Sequence, residues 1–225
     1  RLVRESAGKD HSAITAYPGS PVIVARMRRP ADRLVLIEKL PKEADALRAA
    51  VGRQRLVSVI DGDGYAALKA HLPPREGRGL VLIDPPYESE LEFDKVLAGL
   101  EVAHERWPTG MYCVWYPLTE RAAPQRFRRE LERTGIRKVL DVTLSVLPDD
   151  SPAGMRGAGL LIINPPWQLD ERLAELLVDL HRLLVPEGCG IRGHGHADLW
   201  SAEGWAAHLA GDPLAAVGDL AHVPF

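Results

Sequence analysis

The chain has 225 residues, 46% hydrophobic and 26% charged, with a net charge of −3; this suits an α/β domain with a full core and excludes a disordered tract or a polycation. No uninterrupted apolar run is long enough to cross a bilayer, and the opening RLVRESAGKDHSA has no apolar centre of the kind a signal peptide needs, so a cytoplasmic protein without a membrane partner is expected. The two cysteines, Cys113 in an apolar run and Cys189 in a glycine-rich stretch, are spaced unlike zinc ligands and fit a reducing compartment.

Strand-length apolar runs alternate with longer amphipathic stretches, the pattern of an α/β fold with a mostly parallel sheet. RLVLIEK (33–39) predicts a buried strand and EADALRAAV (43–51) the helix after it. RLVSVIDGDG (55–64) is a strand running into a glycine-rich turn, followed by a short helix, YAALKAHL (65–72). GRGLVLIDPPY (77–87) is a strand that stops at two prolines, and LEFDKVLAGLEVAHERW (91–107) has helical spacing. TGMYCVWYPL (109–118) is rich in aromatic and β-branched residues, as a strand should be. PQRFRRELERTG (124–135) is a basic amphipathic helix with Gly135 as its C-terminal cap. RKVLDVTLSVL (137–147) and GAGLLIINPPW (157–167) predict strands, and LDERLAELLVDLHRLLV (169–185) a helix. Beyond Glu187 the periodicity fades; GHGH (193–196) is placed in a loop rather than at a metal, since two histidines without further ligands make no site.

The most specific local signal is Asp84-Pro85-Pro86-Tyr87, directly after the apolar strand. Methylating an adenine N6 is difficult because its lone pair is delocalised into the ring. A carboxylate oxygen and a rigid backbone carbonyl can hold both amino hydrogens and make the nitrogen more pyramidal. Two prolines supply the rigidity and offer no competing N–H, while an adjacent aromatic is a platform for an extruded base. Acceptors preorganised toward developing positive charge are electrostatic catalysis. The plainer alternative is a Pro-Pro turn with an exposed Asp and a packed Tyr; placement at a strand's carboxyl end, where ligands sit in open α/β sheets, favours the chemical reading.

The tetrapeptide resembles the Asp/Asn-Pro-Pro-aromatic motif of amino-group methyltransferases. The wider pattern resembles the bacterial adenine-N6 methylases of large-subunit (23S) rRNA, of the RlmJ type. It is carried by YPGSP (17–21), DGYAALKAHLPP (63–74), GLVLIDPPYE (79–88), and WYPL (115–118) followed by TGIRKVL (134–140) and INPPW (163–167). The resemblance implies a class I S-adenosylmethionine-dependent methyltransferase sheet, Rossmann-like, in strand order 3-2-1-4-5-7-6. It implies Asp84 as the catalytic residue, with Pro85, Pro86 and Tyr87 completing the motif. Cofactor contacts are implied at Ser20, at Glu38 on the ribose, and at Asp63 and Gly64 on the adenine end, with Asp84 beside them. Read from the residues alone, Ser20 before Pro21 suits a helix N-cap, Glu38 an exposed strand-end acid, and Asp61 and Asp63 turn formers.

Asn164-Pro165-Pro166-Trp167 fits the same tetrapeptide after a later strand and is the internal rival; the resemblance makes it a structural or substrate-side element. Arg126, Arg128, Arg129 and Arg133, followed by Arg137 and Lys138, form a candidate phosphate-contacting face, and Arg26, Arg28 and Arg29 a second cluster; a solvated basic face is the alternative for each. The family's Asp-Thr-His-Ala-Gly-Ala-Gly-like loop, which holds the methionine end of the cofactor, has no counterpart in the sequence, nor has the first strand. The expectation is therefore an N-terminally truncated enzyme: residues 1–16 as the remnant of a helical insertion, 17–187 as the catalytic domain, 188–225 as a divergent tail. The expected partner of this monomer is large-subunit rRNA before the ribosome is fully assembled. A DNA adenine-N6 methyltransferase and a non-catalytic RNA-binding remnant are the rival readings.

Overall fold

The computed structural model describes residues 17–119, 122–148, 151, 154–184 and 195–200. They fall into two compact units divided between Ala70 and His71, each with its own sheet.

The first unit contains α1 (Ser20–Met27), β1 (Leu34–Glu38), α2 (Pro41–Val51), β2 (Val57–Asp61) and α3 (Gly64–His71), at whose last residue the second unit begins. β1 and β2 pair in parallel, from Leu34 opposite Val57 to Glu38 opposite Asp61, so both carboxyl ends carry an acid. α2 makes the crossover that parallel strands require. Pro41 occupies its first turn, where a missing N–H costs nothing, and Gly52 ends it at φ 66, a left-handed conformation suited to glycine.

The second unit runs β3 (Leu80–Ile83), α4 (Leu91–Arg106), β4 (Met111–Leu118), α5 (Ala122–Arg133), β5 (Val139–Ser145), β6 (Gly157–Ile163), α6 (Leu169–Leu184) and β7 (Gly195–Trp200). Its sheet order is β3-β4-β6-β5-β7. β3 and β4 are parallel, and β6 is antiparallel to both neighbours, β4 and β5. Removing the first strand from the expected order leaves a pair, 3-2, and a set, 4-5-7-6; these are the two strings observed, β2-β1 and β3-β4-β6-β5. The fold is the Rossmann-like methyltransferase fold, with no strand joining the two sheets among the described residues.

β7 extends the set. It pairs antiparallel with β5, from Gly195 opposite Leu144 to Trp200 opposite Val139, so Gly195 and His196 lie in a strand and not in the expected loop. The edge of β5 supplies backbone partners whatever the local propensity, which GHADLW hides. Gly193 and His194, like residues 1–16, lie outside the described residues.

The core of the second unit follows the alternation along β4. Tyr112, Val114 and Tyr116 are fully buried on one face, with Phe93, Val96, Leu100, Phe127 and Leu131 of α4 and α5 among the buried residues of that layer. Burying each such large apolar side chain contributes about 1.5–3 kcal/mol. The Tyr112 hydroxyl lies 2.8 Å from the Ala103 carbonyl and 2.9 Å from that of Trp107, pinning the end of α4 to the sheet. On the other face Leu140, Val142, Ile162 and Leu177 cluster with Met111, Cys113, Leu169 and Leu173, so α6 covers it. Burial pushes the Cys113 thiol up to about 11; it packs as a small hydrophobe.

At Gly159 a side chain is forbidden, because a Cβ would fall on the Tyr116 ring. Tyr116 lies directly opposite Gly159 and donates a 2.6 Å hydrogen bond to Asp141 on β5. Arg128 of α5 closes the group, 2.6 Å from the other Asp141 oxygen and 2.8 Å from the Tyr116 hydroxyl. Among the described residues no helix is long and apolar enough to cross a membrane.

Candidate active site

In the first unit three of the expected cofactor residues, Glu38, Asp63 and Gly64, lie at or just after the carboxyl ends of β1 and β2, the ligand edge of such sheets. Glu38 is half-buried and ends β1; its Oε1 accepts the Leu40 amide at 2.9 Å, which fixes the carboxylate's direction, while its carbonyl accepts the Gly62 amide at 2.9 Å. Asp63 caps α3. Its Oδ1 accepts the amides of Tyr65 (2.9 Å) and Ala66 (3.1 Å), and Lys39 stands 3.4 Å from Oδ2. The Ala66 amide, with Lys39 and Tyr65 adding to it, holds the Asp63 carboxyl below its ordinary value against a smaller opposing effect of burial. Gly64 opens α3 with empty space where a Cβ would stand. Asp61 pairs with Arg48 instead. Ser20 is exposed and is the first residue of α1; the N-cap is Gly19, with no side-chain cap bond, so Ser20 is not the capping residue that Ser-Pro suggests.

In the second unit Asp84 follows Ile83, the last residue of β3, at the carboxyl end of a parallel pair. It is exposed as a residue, yet the protein around its carboxyl is close enough that burial pushes its pKa above the ordinary aspartate value. Pro85 is half-buried and Pro86 exposed. Tyr87 takes the left-handed conformation, φ 49, which turns the chain sharply after the prolines. Its hydroxyl donates to the Trp115 carbonyl at 2.8 Å, and its ring centroid lies 4.8 Å from that of Phe93 and 6.1 Å from that of Trp115. Tyr87 is thus pinned at its hydroxyl and braced on its ring.

The rival Asn164 has a different setting. β6 runs antiparallel, with Ile163 opposite Tyr112, so Asn164-Pro165-Pro166-Trp167 leaves the sheet at the amino ends of β3 and β4, opposite to Asp84. The Asn164 amide donates to the carbonyls of Pro108 (2.9 Å) and Gly110 (2.8 Å), and its backbone N–H to that of Lys138 (2.8 Å). This asparagine ties three segments together.

The arginine face of α5 is partly spent. Arg128 serves Asp141, which is 3% exposed; Arg126 lies 3.4 Å from Asp94, and Arg133 2.6 Å from Glu130. Arg129 is exposed and has no carboxylate partner among the described residues. In the other cluster, Arg28 bonds the carbonyls of Asp32 (3.0 Å) and Arg55 (2.9 Å), and Arg29 pairs with Asp32. Sequence reasoning missed the Arg128–Asp141 pair; its signal was an aspartate inside the apolar run VLDVTL, which demands a buried cation.

A family model described as RsmJ, "Ribosomal RNA large subunit methyltransferase D, RlmJ", matches residues 5–196. Two proteins named ribosomal RNA large subunit methyltransferase J are similar over 174 residues, the Escherichia coli (strain K12) one at 42% identity and the Haemophilus influenzae one at 44%. Each match covers 77% of this chain and 62% of the relative, so the chain spans 62% of the length of these curated relatives. Among solved structures, that of protein LPL1258 from Legionella pneumophila is similar with a TM-score of 0.79 and 32% identity, covering 89% of this chain and 72% of that one.

Proposed function

The chain belongs to the RlmJ family of large-subunit ribosomal RNA methyltransferases, and on that premise we propose that it carries the catalytic part of methyl transfer from S-adenosylmethionine to the N6 amino group of an adenine in 23S rRNA. The observation that supports this most is the setting of Asp84: a carboxylate at the carboxyl end of β3, followed by two prolines and a tyrosine fixed at both hydroxyl and ring. Asp84 accepts one amino hydrogen of the target base and a backbone carbonyl of the Pro85–Pro86 segment the other. The nitrogen lone pair is then directed out of the ring plane. Tyr87 offers the stacking face for the extruded base. No covalent intermediate on the protein is needed, and the rate advantage is electrostatic and positional.

The first unit's residues fit the nucleoside part of the cofactor. Glu38, oriented by the Leu40 amide, suits the ribose hydroxyls, and the open backbone at Gly64 beside Asp63 suits the adenine. Ser20 is the remaining proposed contact. S-adenosylmethionine supplies the electrophilic methyl group when bound. The proposed catalytic domain is 17–187, acting as a cytoplasmic monomer on rRNA before the subunit is assembled, while the base can still be extruded. A DNA substrate, which the tetrapeptide alone admits, is disfavoured by the family match over residues 5–196.

The test is single-turnover methylation of protein-free large-subunit rRNA by wild-type and Asp84→Ala proteins. Loss of a preorganised electrostatic group costs on the order of a hundredfold or more in rate, with cofactor affinity largely retained. Near-normal rates in the variant would overturn the assignment.

A further inference from the structure

At the amino ends of β4 and β5, away from Asp84, the second unit has an open cleft of about 500 Å³ lined by His104, Pro108, Thr109, Arg137, Lys138 and Asn164, together with Gly135 and Pro165. Its charged lining is basic; no carboxylate is among these residues. Arg137 and Lys138 are exposed, and neither has a carboxylate partner among the described residues. The walls are fixed by the Asn164 bonds to Pro108, Gly110 and Lys138. Three lining residues hold left-handed backbone, Gly135 at φ 80, Lys138 at φ 56 and Asn164 at φ 54. For a lysine that conformation is uncommon, and such strain is concentrated where a ligand is clamped. Two residues beyond the lining Pro165 stands Trp167, 89% exposed, a large aromatic surface left in water.

Exposed cations with no carboxylate partner among the described residues, and an exposed indole two residues beyond the cleft wall, match a ligand with phosphates and π-faces. We propose that this cleft is a second binding site for single-stranded RNA, with Arg137, Lys138 and His104 on the sugar-phosphate backbone and Trp167 stacked on a base. The proposal rests on the rRNA reading above and adds a contact remote from the target adenine. Continuing the strand registers, Asp84 is level with Trp115 and Asn164 with Met111; that separation is about 13 Å along the strand axis at roughly 3.3 Å per residue. The two contacts hold different nucleotides of one substrate.

The experiment measures binding of a short fluorescent single-stranded RNA of mixed sequence across a salt series, for wild type, Trp167→Ala, and Arg137→Gln combined with Lys138→Asn. Asparagine tolerates the left-handed backbone at position 138, and Trp167 is too exposed for its loss to unfold the protein; circular dichroism checks both. The double variant should flatten the slope of log K against log salt by about 1.4, roughly 0.7 for each lost phosphate contact. Trp167→Ala should weaken binding about fivefold or more. In methylation both should raise KM and leave the saturated single-turnover rate unchanged, a split that a general loss of structure would not give. Wild-type affinity and slope in both variants would overturn the proposal while leaving the catalytic reading intact. The Asp84→Ala rate tests that reading separately.

Discussion

Replacing Arg128 with leucine should destabilise the second unit by about 3 kcal/mol. Asp141 is 3% exposed, and its carboxylate is held by Arg128 at 2.6 Å and the Tyr116 hydroxyl at 2.6 Å. Breaking a buried ion pair from one side costs about 3–5 kcal/mol, because the surviving charge stays buried. The lower end applies, since the tyrosine remains: burial first, and the Asp141 charge after it, keep the Tyr116 phenol well above its ordinary pKa, so it donates throughout the neutral range. Arg128 is also 22% exposed, which lets water reach part of the vacated space. All five tryptophans follow residue 71, so intrinsic fluorescence during urea unfolding reports the second unit alone. The midpoint should fall by about 1–3 M, for a slope of roughly 1–3 kcal/mol per molar urea. Adding Asp141→Leu should restore much of the loss, because an apolar pair carries no stranded charge. A deficit below about 1 kcal/mol, or a double variant no more stable than the single, would refute the reasoning.

The pH dependence of methyl transfer should show Asp84. Its raised pKa means that the accepting carboxylate is lost as pH falls through a value above that of ordinary aspartate, so the acid limb of the single-turnover rate should be shifted upward from the ordinary aspartate value and vanish in Asp84→Asn. Asp63→Ala removes the cap of α3 and should cost about 1 kcal/mol, read as faster hydrogen exchange at Tyr65 and Ala66, whose amides it accepts. Because its folded pKa is depressed, that contribution is complete above the unfolded value of about 3.9 and disappears as pH falls through the folded one.

The apolar runs announced their strands because each is buried and bounded by glycine, proline or charge; Leu34–Glu38 and Gly157–Ile163 fall inside the predicted spans. The acids at 38, 61, 63 and 84 were legible for the same reason, as the first polar residues after or within strand ends. Three things were not fully legible. The helix from Ser20 to Met27 showed only its start, at Ser-Pro, since its body is short and rich in β-branched residues, whose local preference opposes it. β7 owes its existence to the neighbouring strand, a long-range cause that no window of sequence contains. The arginines of α5 looked like one phosphate-contacting or solvated face, yet the helix turns Arg128 inward to Asp141 and leaves Arg129 outside.

The reversal of β6 gives a repeated four-letter word two different addresses. Counting tetrapeptides gives two equal candidates; one added bit, the heading of the strand that delivers each, separates them. A uniformly parallel sheet would have delivered both words to one rim, where changes in either would be tested against the same chemistry. With the headings opposed, the second copy serves the other rim, where its asparagine braces the Pro108–Gly110 segment and its tryptophan faces solvent.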